Sequence, residues 1–190
     1  MIFVTVGSQE AFDRMIRAVD EWAALRGRRD VFAQIAAGSY KPKYIEFTDF
    51  MEPAEFKRRV AEANVIVAHA GMGTILTALE YGKPIVVLPR REHLRETRSD
   101  HQYATSKQFS AQGRIIVAEN ETELQAKLDA ADSLAASERI SSEASPLLMG
   151  TIRAFLNGHP TPAKTPASKD SATKPPTQMR RSSNTLPEEA

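Results

Sequence analysis

The sequence predicts a doubly wound, mostly parallel α/β sheet, and three observations carry that reading. Short apolar runs of strand length recur at Ile2–Val6, Val31–Ile35, Val65–Ala68 and Ile85–Leu88, as expected of strands buried on both faces. Apolar residues at helical spacing fill the segments between most of them. The alternation of the two, with glycine-containing turns at the junctions, calls for crossover connections and helices on both faces of one sheet.

Taken in order, strand one (Ile2–Val6) turns at Gly7-Ser8-Gln9 into an amphipathic helix striped by Phe12, Met15, Ile16, Val19, Trp22 and Ala23. Gly27 closes that helix, with Arg26, Arg28 and Arg29 near its negative end. Trp22 at this spacing reads as core rather than as a ligand platform. Val31–Ile35 is strand two, and Tyr44–Phe47, which alternates, is a third strand nearer an edge. Phe56, Val60 and Ala63 stripe the next helix, whose Lys57-Arg58-Arg59 run reads as a solvated face.

Residues 65–90 are the most informative stretch. A fully apolar strand (Val65–Ala68) breaks at His69-Ala-Gly71-Met-Gly73-Thr74, a helix begins at Gly73-Thr74, Gly82 and Pro84 end it, and Ile85–Leu88 is the next strand. The free N–H groups and dipole of that helix make an anion site, most plausibly for phosphate. A polar loop with four arginines (90, 91, 95 and 98) follows. Ser99 or Asp100 caps a helix through Tyr103, Ser106 and Phe109 to Gly113. Ile115–Val117 is a further strand, Glu121–Ala131 a helix with Leu124 and Leu128 inward, and Pro146–Leu156 a last helix. One domain is expected over residues 1–156. Residues 157–190 hold six of the 11 prolines and only two large apolar residues, Met179 and Leu186, so a disordered tail is expected there. It is read as a plain tail, with a membrane surface or an acidic partner as the alternative.

The net charge of +1 marks no nucleic-acid binder. The absence of cysteine excludes disulfides and thiolate metal sites and suits a reducing, cytoplasmic setting. Met1 leads directly into a strand, so no signal peptide is expected. No apolar run approaches the roughly 20 residues of a membrane span.

Three polar segments follow strands whose carboxyl ends share one rim: Gly7-Ser8-Gln9, His69–Thr74 and Arg90–Gln102. Together they suit a diphosphate carrying a polyhydroxylated group. A dinucleotide fingerprint fails because Gly71-Met-Gly73-Thr-Ile ends in Leu76, and there is no P-loop. His69, His93 and His101 lack metal-ligand spacing, and Ser8 lacks the hydrolase elbow.

His69-Ala-Gly-Met-Gly-Thr-Ile-Leu-Thr-Ala-Leu-Glu80, then Gly82-Lys-Pro84, Pro89-Arg90 and Asp100-His101-Gln102, resembles the donor-binding half of glycosyltransferase family 28. The opening Phe3-Val-Thr-Val-Gly-Ser-Gln9 and Phe12-Asp-Arg14 resemble the same family. The likeness spans about residues 1–156 and is nearest to small split enzymes that are only the carboxyl half of a GT-B fold. Among these are exopolysaccharide glucuronosyltransferase subunits and the catalytic subunit of the dolichol-linked N-acetylglucosaminyltransferase. The resemblance implies a Rossmann-like GT-B carboxyl half. Gly7, Ser8 and Gln9 would lie by the diphosphate, and Phe47–Met51, with Phe50 and Met51 foremost, would border the uracil. His69 and Gly71, Met72, Gly73 and Thr74 would hold the phosphates, with Arg90 beside them, and Asp100, His101 and Gln102 would meet the sugar. Thr77 stands where larger relatives carry a ribose-binding Glu. Glu80, one turn later, either reaches the ribose or pairs with Lys83 on the surface.

The implied reaction displaces UDP from a nucleotide sugar, UDP-glucuronate or UDP-N-acetylglucosamine, with no metal or other cofactor strictly required. The four loop arginines either clamp a uronate or meet diphosphate and solvent. No general base is evident; His69 and His101 are the titratable candidates. The resemblance further implies a membrane-attached partner that supplies the acceptor half and a polyprenyl-linked acceptor at the inner face of the membrane. A non-catalytic UDP-sugar-binding or scaffold subunit is the second class.

Overall fold

The computed structural model describes residues 1–158 other than Ser142. Six parallel strands form one sheet: β1 (Ile2–Thr5), β2 (Val31–Gln34), β3 (Glu46–Thr48), β4 (Val65–His69), β5 (Ile85–Leu88) and β6 (Ile116–Val117), in the order β3-β2-β1-β4-β5-β6. This is the doubly wound order, and its direction reverses between β1 and β4. The helices are α1 (Asp13–Arg26), α2 (Pro53–Glu62), α3 (Met72–Glu80), α4 (His101–Ala111), α5 (Glu121–Asp129) and α6 (Pro146–Leu156).

Period-two alternation in the strands divides the core. Ile2, Val4, Val65, Val67, Val86 and Leu88 face Phe12, Met15, Ile16, Val19 and Trp22 of the α1 segment and Leu124 and Leu128 of α5. Phe3, Ile66, Ala68, Ile85 and Val87 face the other way, onto Val60 of α2 and Ile75, Ala78 and Leu79 of α3. Because α1/α5 and α2/α3 cover opposite faces, the strands are apolar at nearly every position, and that double burial is the pattern the sequence displays. Trp22 is a core residue whose Nε1–H donates to Asp129 at 2.8 Å. Gly27 ends α1 at φ 62°, with the N–H of Arg28 reaching back to the Ala23 carbonyl at 2.9 Å. Arg26 and Arg28 there are committed to carboxylates, Arg26 to Asp129 and Arg28 to Asp30 and Asp132.

The third strand departs from expectation, for a clear reason. It covers Glu46–Thr48 rather than Tyr44–Phe47, at the sheet edge. The N–H groups of Lys43, Tyr44 and Ile45 donate to the fully buried carboxylate of Asp20, at 2.9, 2.8 and 3.1 Å, and the Tyr40 hydroxyl joins them at 2.7 Å. A helix carboxylate thus takes donors that a longer strand would have offered to its neighbour. Burial and this bond push the Tyr40 hydroxyl up to about 12.

Residues Met1–Glu143 form one compact unit, and a second begins at Ala144. In the second, Ser145 caps α6 by accepting from the N–H of Leu148 at 3.2 Å, with Pro146 in the first turn. Apart from Asn157 and Gly158, the tail expected over 157–190 lies outside the described residues.

Removing the Asp20 carboxylate leaves three backbone donors without their acceptor, the Ile45 N–H buried and those of Lys43 and Tyr44 half-buried. Asp20→Ala is therefore expected to lower the unfolding free energy by about 3 kcal/mol, read by urea denaturation. Arg26→Ala, which breaks an exposed pair, is expected to change it by less than about 1 kcal/mol.

Candidate functional site

The reversal of strand order sets the carboxyl ends of β1 and β4 side by side. Thr5 pairs with Gln34 on one flank and Ala68 on the other, and His69 pairs with Leu88. The segments leaving these strands diverge there and enclose a cleft of about 680 Å³. Open α/β sheets place ligands at this point.

Three walls can be traced. The first is Gly7, Ser8, Gln9 and Glu10 between β1 and α1. Gly7 takes φ +85°, its N–H donates to Thr5 Oγ1 at 3.2 Å, and its carbonyl accepts from Gln34 Nε2 at 2.9 Å. Thr5 Oγ1 also donates to Gln34 Oε1 at 2.6 Å. The second wall is His69, Gly71, Gly73, Thr74 and Thr77, from the end of β4 into α3. Gly71 is the residue before α3, and no side chain caps the helix. The N–H groups of its first turn, which have no intrahelical acceptor, are left for a ligand. The third wall is Arg90, Thr97, Arg98, His101 and Gln102, between β5 and α4.

The imidazole of His69 sits between the two glycines. A Cβ at Gly7 would come within 2.8 Å of His69 Nε2, and one at Gly71 within 2.7 Å of the same atom. Neither position tolerates a side chain while the ring stays in place. Nδ1 is buried and without a hydrogen-bond partner among the described residues. Burial, reinforced by the charge of Arg90 and opposed by Gln102, lowers the ring to about 4. The ring is therefore neutral at pH 7.

Of the residues singled out from sequence, Gly7, Ser8, Gln9, Met51, His69, Gly71, Gly73, Thr74, Thr77, Arg90, His101 and Gln102 line this cleft. Four do not. Phe50 lines a smaller neighbouring hollow with Met51 and Phe32. Met72 is exposed at the start of α3 and does not line the cleft. Glu80 is exposed at the end of α3, beyond the cleft; it forms no pair with Lys83, whose ammonium donates to the Ala63 carbonyl at 2.8 Å. Thr77 faces the cleft instead. Asp100 neither lines it nor caps α4 with its side chain, since its carboxylate accepts from the N–H of Glu92 at 2.9 Å.

The arginine-rich loop is also mostly architecture. Arg90 is buried with its guanidinium on backbone carbonyls, and Arg91 pairs with Glu119 at 2.6 Å. Of the four, only Arg90 and Arg98 reach the cleft, and Arg98 is exposed. Lys57, read from sequence as solvated, lines the cleft too, while its neighbours Arg58 and Arg59 pair with Glu55. Gln34 was not singled out in the sequence, and Lys57 was read there only as part of a solvated run. Gln34 had a signal, being a polar residue that ends a buried strand as His69 does. Lys57 had none, because its helix phase relative to the cleft depends on where α2 packs. His101 opens α4, with Nδ1 3.0 Å from Ser99 Oγ. Among the described residues no group of three or more His, Asp or Glu is placed to hold a metal ion, and no helix is long and apolar enough to cross a membrane.

The model of the glycosyltransferase family 28 C-terminal domain matches residues 1–145. The chain is 28% identical over 125 residues to UDP-N-acetylglucosamine transferase subunit ALG13 of Homo sapiens, a match covering 60% of this chain and 11% of that protein. It therefore spans about a tenth of the length of that relative. The solution structure of ALG13 superposes with a TM-score of 0.53 at 17% identity, over 82% of this chain and 94% of that one. A putative UDP-N-acetylglucosamine 2-epimerase from Listeria monocytogenes does so with 0.57 at 13% identity, over 85% of this chain and 46% of that one. At these identities the structural likenesses speak for the fold. The fold, the cleft at the strand reversal and the extent of the family match lead to one statement: the chain belongs to the glycosyltransferase family 28 C-terminal domain family.

Proposed function

We propose that this chain is the donor-binding, catalytic subunit of a UDP-sugar-dependent hexosyltransferase. One observation carries the reading. An uncapped helix N-terminus, two glycines that admit no Cβ and a neutral imidazole converge at the β1–β4 reversal, which is a cradle for a diphosphate. Met51, with Phe50 and Phe32 in the adjoining hollow, offers the apolar surface for a uracil. Thr77, which lines the cleft where Glu80 does not, is assigned to the ribose, and His101 and Gln102, which line it too, to the sugar.

In the reaction so assigned, an acceptor oxygen bonds to the anomeric carbon as the bond from that carbon to the β-phosphate oxygen breaks. UDP departs with the electron pair. The first turn of α3, with Lys57 and Arg98, stabilises the charge that develops on UDP. His69 is a poor general base near neutrality because its conjugate acid is too strong; its role is a hydrogen bond to a phosphate or sugar oxygen. The acceptor proton goes to His101 or to a group on a partner chain.

The human relative is a UDP-N-acetylglucosamine transferase subunit by name. The same donor class is proposed here, with a membrane-attached partner that presents a polyprenyl-linked acceptor, in glycolipid or exopolysaccharide synthesis. This subunit would itself be cytoplasmic and held at the membrane by that partner. A UDP-glucuronate donor is the second reading, and it rests on Arg98, the one exposed loop arginine at the cleft. A non-catalytic UDP-sugar-binding subunit would share all these contacts and differ only in showing no turnover once the partner is present.

Three outcomes are expected. UDP binds the isolated chain by calorimetry, and Gly71→Ala weakens it by about tenfold or more, since the new methyl displaces His69; no binding at millimolar UDP overturns the reading. Arg98→Ala reduces affinity for UDP-glucuronate and for UDP-N-acetylglucosamine equally if the donor is neutral, and for the uronate selectively, by about 1 kcal/mol or more, if the arginine clamps a carboxylate. His69 titrates by NMR near pH 4. Between that value and the roughly 6.5 of an unfolded histidine, the unfolded state binds the extra proton. Stability from this group is thus fully present above about pH 6.5 and falls as the pH drops toward 4, and His69→Gln removes about 3 kcal/mol of that pH dependence in urea titrations.

A further inference from the structure

Arg90 sits one residue beyond the Pro89 that follows β5, with only 3% of its surface exposed. Its guanidinium donates to three backbone carbonyls of the β1–α1 segment that carries the first wall. Nη1 reaches Ala11 at 2.6 Å, and Nη2 reaches Glu10 at 2.7 Å and Val6 at 3.1 Å. Val6 and Glu10 flank Gly7-Ser8-Gln9, so the bonds close the base of that loop from both ends. The guanidinium also lies 4.5 Å from the ring centre of Phe12.

A second arginine makes the reverse connection. Arg14, in the first turn of α1, holds Glu96 of the third wall through Nε at 2.6 Å and Nη2 at 2.8 Å. Nη2 also donates to the Pro89 carbonyl at 3.2 Å, and Nη1 reaches Glu121 at 3.1 Å. Glu96 in turn accepts from the N–H of Arg91 at 2.9 Å. The Arg14 guanidinium lies 5.2 Å from the same Phe12 ring. The third wall therefore grips the first through Arg90, and the segment behind the first grips the third through Arg14.

We propose that Arg90 is a positioning residue: with Arg14 it cross-ties the Gly7–Glu10 and Pro89–Gln102 walls, so the cleft is shaped before a donor enters. Two properties of the side chain support this. A planar fork serves carbonyls on both ends of one loop at once, which a lysine ammonium cannot do with the same geometry. All the donors it uses here are spent on backbone, which leaves loop geometry as its contribution. The bonds fix the carbonyls of Val6, Glu10 and Ala11, and with them the backbone on either side of Gly7-Ser8-Gln9. The affinity arm of the test rests on the donor-site reading above; the loop-order arm does not.

The experiment uses the full chain as wild type, Arg90→Lys, Arg90→Ala, Arg14→Lys and Arg28→Ala. The last breaks ion pairs to Asp30 and Asp132 near the C-terminus of α1, away from the cleft. Backbone order at Ser8–Ala11 is read by 15N relaxation, and UDP affinity by calorimetry. Arg90→Lys is expected to lower the order parameters of the loop from about 0.85 toward 0.6 and to weaken UDP by about tenfold, the scale of ordering a loop on binding. Arg14→Lys acts in the same direction more weakly, and Arg28→Ala changes neither. Millimolar guanidinium restores loop order in Arg90→Ala. If Arg90→Ala does not fold, Arg90→Lys and Arg14→Lys decide. Loop order in Arg90→Lys equal to wild type, or losses matched by Arg28→Ala, overturns the proposal. Wild-type protein that binds no UDP overturns the donor-site reading, and the relaxation data then still decide whether Arg90 holds the loop.

Discussion

The contact between His69 and the two glycines that flank it is the constraint on which the site depends. Parallel pairing of β1 with β4 brings the ends of these strands together, and the ring then occupies the space that a Cβ at Gly7 or Gly71 would need. Once the ring is there, both turns must lack a Cβ, and Gly7 must take the left-handed conformation that its bonds to Thr5 and Gln34 hold. The same packing desolvates the imidazole and keeps it neutral beside the positive end of α3 and the guanidinium of Arg90. A charged ring at that place would meet two like charges. A neutral one can donate or accept toward an anion without competing with the helix for it.

Around this contact the chain spends its buried polar groups at one edge of the sheet. Thr5, Gln34, Thr74, Arg90 and Gln102 are buried polar side chains near the carboxyl ends of the strands, while the body of the sheet is apolar on both faces. Each engaged group at this edge fixes a piece of loop backbone that would otherwise need water or a ligand. Asp20 does the same on the far side of α1 for the segment leading into β3. Much of the chain's charge is therefore structural. Of the cations near the cleft, Lys57 and Arg98 are the two left facing it without a backbone commitment.

The sequence displayed most of the fold. Strands β1, β2, β4 and β5 lie in the doubly covered body of the sheet, so their apolar runs were legible, with β1, β2 and β4 each ending one residue from where the sequence put them. Helices α1, α2 and α5 present one stripe to the core and read correctly from periodicity. The short edge strand β3 did not, because a buried carboxylate distant in sequence claimed three of its neighbours' N–H groups. The site was legible where a residue type is forced by backbone geometry, as at Gly7 and Gly71, or where a polar residue ends an apolar strand, as at His69. It was illegible where a side chain's direction depends on a partner far along the chain. Arg90 and Arg98 look alike in sequence and both line the cleft, yet one is buried with its guanidinium on carbonyls and the other is exposed. Asp100 and Glu80 were drawn from the site by bonds and helix phase of the same kind.

By itself the sequence determined the class of fold, the two glycine turns and the identity of the titratable residue between them, because strand burial, left-handed backbone and helix N-termini each restrict which residue types are possible at a given position. It also carried the family's motif in residues close together along the chain. Tertiary structure alone decided which strands lie side by side, which charged groups face the cleft and which are used up in holding its walls. Those outcomes rest on contacts between residues as much as 107 positions apart, such as Arg14 with Glu121, and no local pattern encodes the direction in which a long side chain finds its partner.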